Sequence, residues 1–233
     1  MQRKKKVLAI LVARSNSSRL KNKIFFKINN IPVIKIIFNK LKLSTQIDQI
    51  AITTSNNKSD DKIENFGNEN KIKIFRGPEN NVLKRIHQTS LLFPGFEIIV
   101  RANCDCPLFM VDILDYDIKR FKNSDYDLLS PFYKNKIPLG ISFVIFKKET
   151  IDKIIKRTKS KIYQEHVENY CFDNKKDFKL FPNKYNKKYY SPETKLTLDT
   201  AADLKKIKKI FKKLDKIKNK HKAKNTIKIL KNS

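Results

Sequence analysis

Residues 7–23 read VLAILVARSNSSRLKNK: seven apolar residues that give way at once to hydroxyls, amides and cations. Arg14, Arg19 and Lys23 bring fixed positive charge within ten residues, and Ser15, Ser17 and Ser18 add hydroxyl donors. That mixture suits a triphosphate of roughly four negative charges, because a strand ending in a polar loop before a helix lets backbone N–H groups collect an anion. Glycine-rich phosphate loops are missing. With 4 Gly in all, the chain has neither Gly-x-x-x-x-Gly-Lys-Ser/Thr nor Gly-x-Gly-x-x-Gly. On these residues alone, a basic surface loop without a ligand competes evenly.

A loop of this kind needs a sheet behind it. Short apolar runs at Val7–Ala13, Gln49–Thr53, Ile72–Phe75 and Glu97–Val100 have strand length. Between them, Val33, Ile34, Ile37, Phe38 and Leu41, then Val82, Leu83, Ile86 and Leu91, recur at helical spacing. Strand alternating with helix predicts an α/β fold, a mostly parallel sheet flanked by helices with ligands outside the carboxyl ends of its strands. Strand-like runs at Leu139–Phe146, Phe178–Phe181 and Leu196–Leu198 predict a smaller subdomain on the same sheet. Residues 1–220 read as one domain and 221–233 as a basic, frayed tail. Leu204, Ile207, Ile210, Phe211, Leu214 and Ile217 predict an amphipathic helix whose lysines face water or an anionic membrane.

Composition narrows the class. A length of 233 residues with 40% hydrophobic content supports a sizeable core, and no run reaches the length of a membrane span. The 52 Lys and Arg against 23 Asp and Glu leave a net charge of +29, which attracts phosphates and nucleic acid; A/T-rich coding drift explains the same surplus. Neither an aromatic platform nor a nucleic-acid motif accompanies it, so no specific nucleic acid is expected. Three cysteines, Cys104, Cys106 and Cys171, predict free thiols in a reducing compartment. Residues 3–13 imitate a signal peptide poorly, and a cytoplasmic location is expected.

The order of the loop's residues adds more. ARSNSSRLKNK resembles the Ala-Arg-x-x-Ser-x-Arg-Leu-Pro-x-Lys signature of the cytidylyltransferases that activate acidic sugars, particularly the SpsF-like branch and relatives acting on 3-deoxy-manno-octulosonate. RGPENNVLKRI (76–86), VRANCDCPLF (100–109), EHV (165–167) and LTLDTAADL (196–204) are similar to that family's further motifs and occur in its order. Lys21 and Asn22 replace a usual Pro-Gly, Asn81 an acidic residue and Cys104 a common glycine, and PLGISFVIF (138–146) lacks acidic residues often present on the acceptor side.

The resemblance implies a Rossmann-like (GT-A-like) nucleotidyltransferase that moves CMP from CTP to an acidic sugar and releases pyrophosphate. It implies nucleotide contacts from Ala13, Arg14, Ser17, Ser18, Arg19, Lys23, Arg76 and Arg85, with main-chain groups around Val12 and Ala13 at the base edge. Arg14, Arg19, Lys23 and Asp105 are the expected catalytic set. Glu165 and His166 are expected to bind the sugar, and Mg²⁺ to lie on Asp105 and Asp199. Both aspartates follow apolar runs, and Asp199 is also placed to cap the next helix. Asp115-Tyr-Asp117 and Asp125-Tyr-Asp127 imitate a glycosyltransferase metal motif, but neither follows a convincing apolar strand. A glycosyltransferase or a transferase using another NTP remains open on the same fold. Some relatives are dimers, so a homodimer is an expectation without an identified interface.

Overall fold

The computed structural model describes residues 5–17, 19–134, 137–182, 184–189, 194–217 and 223–231. The chain runs β1 (Lys6–Val12), β2 (Lys27–Ile28), β3 (Ile31–Pro32), α1 (Val33–Leu41), β4 (Gln49–Ser55), α2 (Asp61–Glu69), β5 (Lys73–Gly77), α3 (Val82–Leu91) and β6 (Phe96–Asn103). It continues α4 (Val111–Lys122), β7 (Leu128–Leu129), β8 (Val144–Lys147), α5 (Lys148–Arg157), α6 (Lys161–Glu165), α7 (Val167–Asp173), α8 (Ala201–Leu214) and α9 (Ala223–Lys231).

Six strands form one sheet in the order β5-β4-β1-β6-β8-β7. β4, β1, β6 and β5 pair in parallel, and β8 is antiparallel to both β6 and β7. β1 is apolar from Val7 to Val12 because both of its faces are covered. Val7, Ala9 and Leu11 join one core with α1, α4 and α8, while Leu8 and Ile10 join the other with α3, α5 and α7. Register decides where function sits: Val12 lies opposite Thr53 on one side and Asn103 on the other, so the chain leaves β1, β4 and β6 along one edge.

The second half departs from the sequence reading. Of the expected 139–146 strand only residues 144–146 join the sheet, in β8, because Gly140 turns the chain at φ 90° and packs on Leu196 and Thr197. Phe178–Phe181 makes a single bridge, Leu180 to Leu128. Leu196–Leu198 is extended but belongs to no strand; its amides donate to Leu139 O at 2.8 Å and Asp105 O at 2.7 Å. These apolar runs are buried as expected, but loops rather than a ladder satisfy their backbone.

The expected frayed tail is likewise corrected. Residues 223–231 form α9, whose Thr226, Ile227 and Ile229 are buried beside α4 and α8. The lysine-rich face of α8 is exposed, with Ile207, Ile210 and Leu214 buried behind it. No helix among the described residues is long and apolar enough to cross a membrane.

Candidate active site

At the carboxyl edge of β1 the chain must turn sharply, and a buried carboxylate holds the turn. Asp60, 1% exposed, accepts from Ser15 N at 2.7 Å and from Thr54 Oγ1 at 3.0 Å, and also from the Ser55 hydroxyl. Burial pushes this carboxyl up, but the bonds from Ser55, Ser15 and Thr54 outweigh it and hold the carboxyl below its ordinary value. Ser15 O then accepts from Asn22 N at 2.8 Å, closing the loop over a left-handed Asn22 with φ 56°. Asp60 stands at the N-terminal end of α2, but its side chain caps nothing there and turns to the loop instead.

The closed loop aims its cations at the carboxylates that follow β6 and precede α8. Lys23 Nζ lies 2.9 Å from Asp105 Oδ2 and 3.0 Å from Asp199 Oδ1. Arg19 reaches the same Asp199 oxygen at 3.0 Å, and Lys195 its other oxygen at 2.7 Å. Burial lowers the Lys23 pKa, but the two aspartates more than reverse this and raise it above its ordinary value. Burial likewise pushes Asp199 up, and the bonds from Lys195 and Lys23 bring it far below the usual carboxylate range. Asp199 does not cap α8. Thr200 does, in a reciprocal box with Asp203.

On the facing wall, Arg14 pairs with Glu165 at 2.9 Å. Arg101, a buried residue of β6, pairs with Glu168 and donates to Glu165 O at 3.1 Å. His166 is exposed at the junction of α6 and α7. Arg85 is fully buried, and its Nε and both terminal nitrogens lack a hydrogen-bond partner among the described residues. Burial and the charge of Arg14 lower it to about 10. Gly77 makes room for it: a Cβ there would meet Phe75 at 2.8 Å and Arg85 Cγ at 3.0 Å.

These groups surround one cleft, lined by Ala13, Arg14, Ser17, Arg19, Lys23, Arg85, Arg101, Asp105, Glu165, His166, Glu168 and Asp199. The fold thus brings together most residues expected from sequence. Ser18 lies outside the described residues. Arg76 is not brought in: its guanidinium turns to α2, pairing with Asp61 at 2.7 Å and Glu64 at 2.6 Å. Two main-chain groups expected at a base edge belong to the sheet, as Ala13 N donates to Thr53 O and Val12 O accepts from Cys104 N. Sequence reasoning gave no site role to Arg101 or Glu168, 67 positions apart, although Arg101 lies in the VRANCDCPLF segment and is an arginine within an apolar strand.

The imitation metal motifs have structural roles. Asp117 is buried and accepts from Tyr185 OH and Ser142 Oγ, and Asp115 accepts from Thr45 N at 2.9 Å. Asp125 pairs with Lys147 and Lys179. Cys104 and Cys106 are buried thiols pushed up by burial and by Asp105.

A cationic loop after the first strand, facing two carboxylates on the same edge of a mostly parallel sheet, is the construction of a nucleotidyltransferase. The chain belongs to the cytidylyltransferase family, whose model matches residues 8–229. It is 33% identical over 215 residues to an uncharacterized protein of Methanocaldococcus jannaschii, covering 91% of this chain and 86% of that one. It is also 26% identical to the spore coat polysaccharide biosynthesis protein SpsF of Bacillus subtilis, covering 89% and 87%. A solved cytidylyltransferase from Leptospira borgpetersenii has the same fold, with a TM-score of 0.86 at 24% identity over 98% of this chain and 94% of that one.

Proposed function

We propose that this protein transfers CMP from CTP to a hydroxyl of an acidic sugar, with release of pyrophosphate, in surface polysaccharide biosynthesis. The observation that carries the reading is the convergence of Asp105 Oδ2 and Asp199 Oδ1 on one cationic nitrogen, beneath the loop that carries Arg14 and Arg19. The family membership and the likeness to a polysaccharide biosynthesis protein support it.

In the reaction, the acceptor oxygen forms a bond to the α-phosphorus while the bond to the α–β bridging oxygen breaks, its electron pair leaving with pyrophosphate. The acceptor proton passes to solvent at the open mouth of the cleft. Such a displacement depends on positioning and charge neutralisation. Arg14, Arg19 and Lys23 neutralise the phosphates, with Ser17 beside them. Arg85, buried and with no side-chain partner among the described residues, supplies donors to the nucleotide. Glu165 and His166 contact sugar hydroxyls, and the cationic wall selects an acid over a neutral sugar. Two hard carboxylate oxygens that already share a cation suit Mg²⁺, which Asp105 and Asp199 would hold and which would supply further positive charge to the phosphates.

The test is pyrophosphate release from each of four NTPs against a panel of nonulosonates, octulosonates and neutral hexoses. CTP with an acidic sugar and Mg²⁺ is expected to be turned over, and Asp105→Asn to lose on the order of 10²-fold or more with its melting temperature kept. Turnover of another NTP, transfer from a nucleotide sugar, or an active Asp105→Asn would overturn the corresponding assignment.

A further inference from the structure

Helix α1 packs on the sheet through Val33, Ile36, Ile37 and Leu41, and its stripe continues at position 40, where the sequence has a lysine. The side chain does not escape to solvent: Lys40 is 6% exposed. Its Nζ donates to Pro107 O at 3.1 Å and to Phe109 O, and lies 4.6 Å from the centre of the Phe109 ring. Among the described residues no carboxylate lies within ion-pair distance of it, and no backbone N–H reaches either carbonyl. Burial lowers this ammonium to about 7, with Asp112 and Cys106 opposing the shift. A leucine or methionine would fill the stripe without burying a charge.

What Lys40 grips is the segment that places Asp105. After β6, Cys104 N donates to Val12 O at 3.1 Å, Asp105 O accepts from Leu198 N, Phe109 N donates to Cys106 O at 3.1 Å, and Met110 N donates to Ile141 O at 2.8 Å. Pro107, Leu108, Phe109 and Met110 are all buried, so their carbonyls have no water to turn to. The ammonium ties the oxygens of residues 107 and 109 to a rigid helix, which fixes the far end of the turn while β6 fixes its near end.

We propose that Lys40 is a positioning residue for nucleotidyl transfer, gathering the Pro107 and Phe109 carbonyls so that the turn between them and β6 holds Asp105 against Lys23. The role rests on the proposed part of Asp105 in the reaction. Lys40 touches neither substrate nor cation, and acts through the backbone of residues 105–109. The groove beside it, about 360 Å³ between α1, the β2–β3 hairpin and α8, leaves room for a guanidinium in its place.

The full chain with Lys40→Met and with Lys40→Arg tests this. Lys40→Met removes the donors and keeps the length; losing a buried charge and orphaning two buried carbonyls oppose one another, so its melting temperature is expected to stay within a few degrees of the wild type, on the order of 1 kcal/mol either way. Amide exchange at Phe109 and Met110 should quicken by on the order of 10-fold while β1 and β4 amides hold their rates. The kcat for pyrophosphate release should fall by roughly 10- to 100-fold with KM for CTP nearly unchanged, as expected of a displaced catalytic group. Lys40→Arg should restore both. Wild-type kcat and exchange in Lys40→Met would overturn the proposal. So would a uniform rise in exchange with a lowered melting temperature that arginine fails to rescue, because that describes packing alone. If the wild type released no pyrophosphate, the functional reading would fall, while the exchange measurement would still report the hold of Lys40 on the turn.

Discussion

Lys23→Met removes the ammonium that Asp105 and Asp199 share and keeps the length of the side chain. At about 3 Å and an effective dielectric near 20, each pair has a gross attraction of roughly 5 kcal/mol, most of it offset by desolvation. Removing one partner of a buried pair typically costs about 3–5 kcal/mol. The cost is smaller here, because Asp199 keeps Arg19 at 3.0 Å and Lys195 at 2.7 Å, and the Asp105 side chain is 28% exposed. A loss near 2 kcal/mol is expected, or roughly 4–8 °C in melting temperature for a chain of this size. The sharper readout is the response to a divalent cation. In the wild type Mg²⁺ must displace or share with the Lys23 ammonium; in the variant that competitor is gone, while Asp199 keeps Arg19 and Lys195. Mg²⁺ at about 100 times its Kd contributes roughly 2.7 kcal/mol, so the variant should recover its loss in full while the wild type gains less. Thermal melts of both proteins from 0 to about 20 mM Mg²⁺ measure the difference. The kcat should stay down on the order of 10²-fold, since Lys23 is also proposed to neutralise the phosphates. Equal Mg²⁺ responses in the two proteins would refute the idea that these carboxylates form a cation site.

Arg85→Met should leave the melting temperature unchanged or slightly raised, because an unpartnered buried guanidinium stabilises nothing, and should raise KM for CTP by roughly 10-fold or more through lost charged hydrogen bonds. An unchanged KM would reduce Arg85 to packing. The carboxyl of Asp199 is depressed in the folded state, so its stabilisation is complete above the unfolded value near 4 and is lost as pH falls through the folded value. Urea midpoints measured from pH 5 to pH 2 should therefore fall more steeply for the wild type than for Asp199→Asn, and parallel curves would contradict the assignment.

The parts of the site legible in the sequence are those where a strand ends. Val7–Val12 announces a doubly covered strand, so Arg14 had to emerge at a functional edge, and Asp105 follows β6 by the same logic. Where a group reaches its partner across the fold, periodicity is silent. Arg101 reads as one more strand residue, and only the packing of α7 against the sheet makes it the partner of Glu168. Arg76 misleads for a related reason. It adjoins Gly77, which does shape the cleft, but successive residues of a strand face opposite ways, and the acids at positions 61 and 64 of α2 draw its guanidinium outward. In the tail, lysines conceal the stripe of Thr226, Ile227 and Ile229 that builds α9.

The largest gap lies in the charge of the cleft. Sequence shows three cations near one another and suggests that they await a triphosphate. The structure shows them engaged: Arg14 with Glu165, Arg19 with Asp199, Lys23 with both aspartates. Five cationic side chains line the cleft against four carboxylates, and Arg85 is the one among the five for which no hydrogen bond or ion pair is made by the described residues. A surplus of one cannot neutralise a triphosphate of roughly four charges. On the proposed function, nucleotide entry draws Arg14 and Arg19 off their carboxylates, which takes from Glu165 its ion-pair partner and leaves Asp199 with Lys23 and Lys195. A sugar hydroxyl can serve the first and a divalent cation the second, so on this charge balance the nucleotide, the acceptor and the cation complete one another's site.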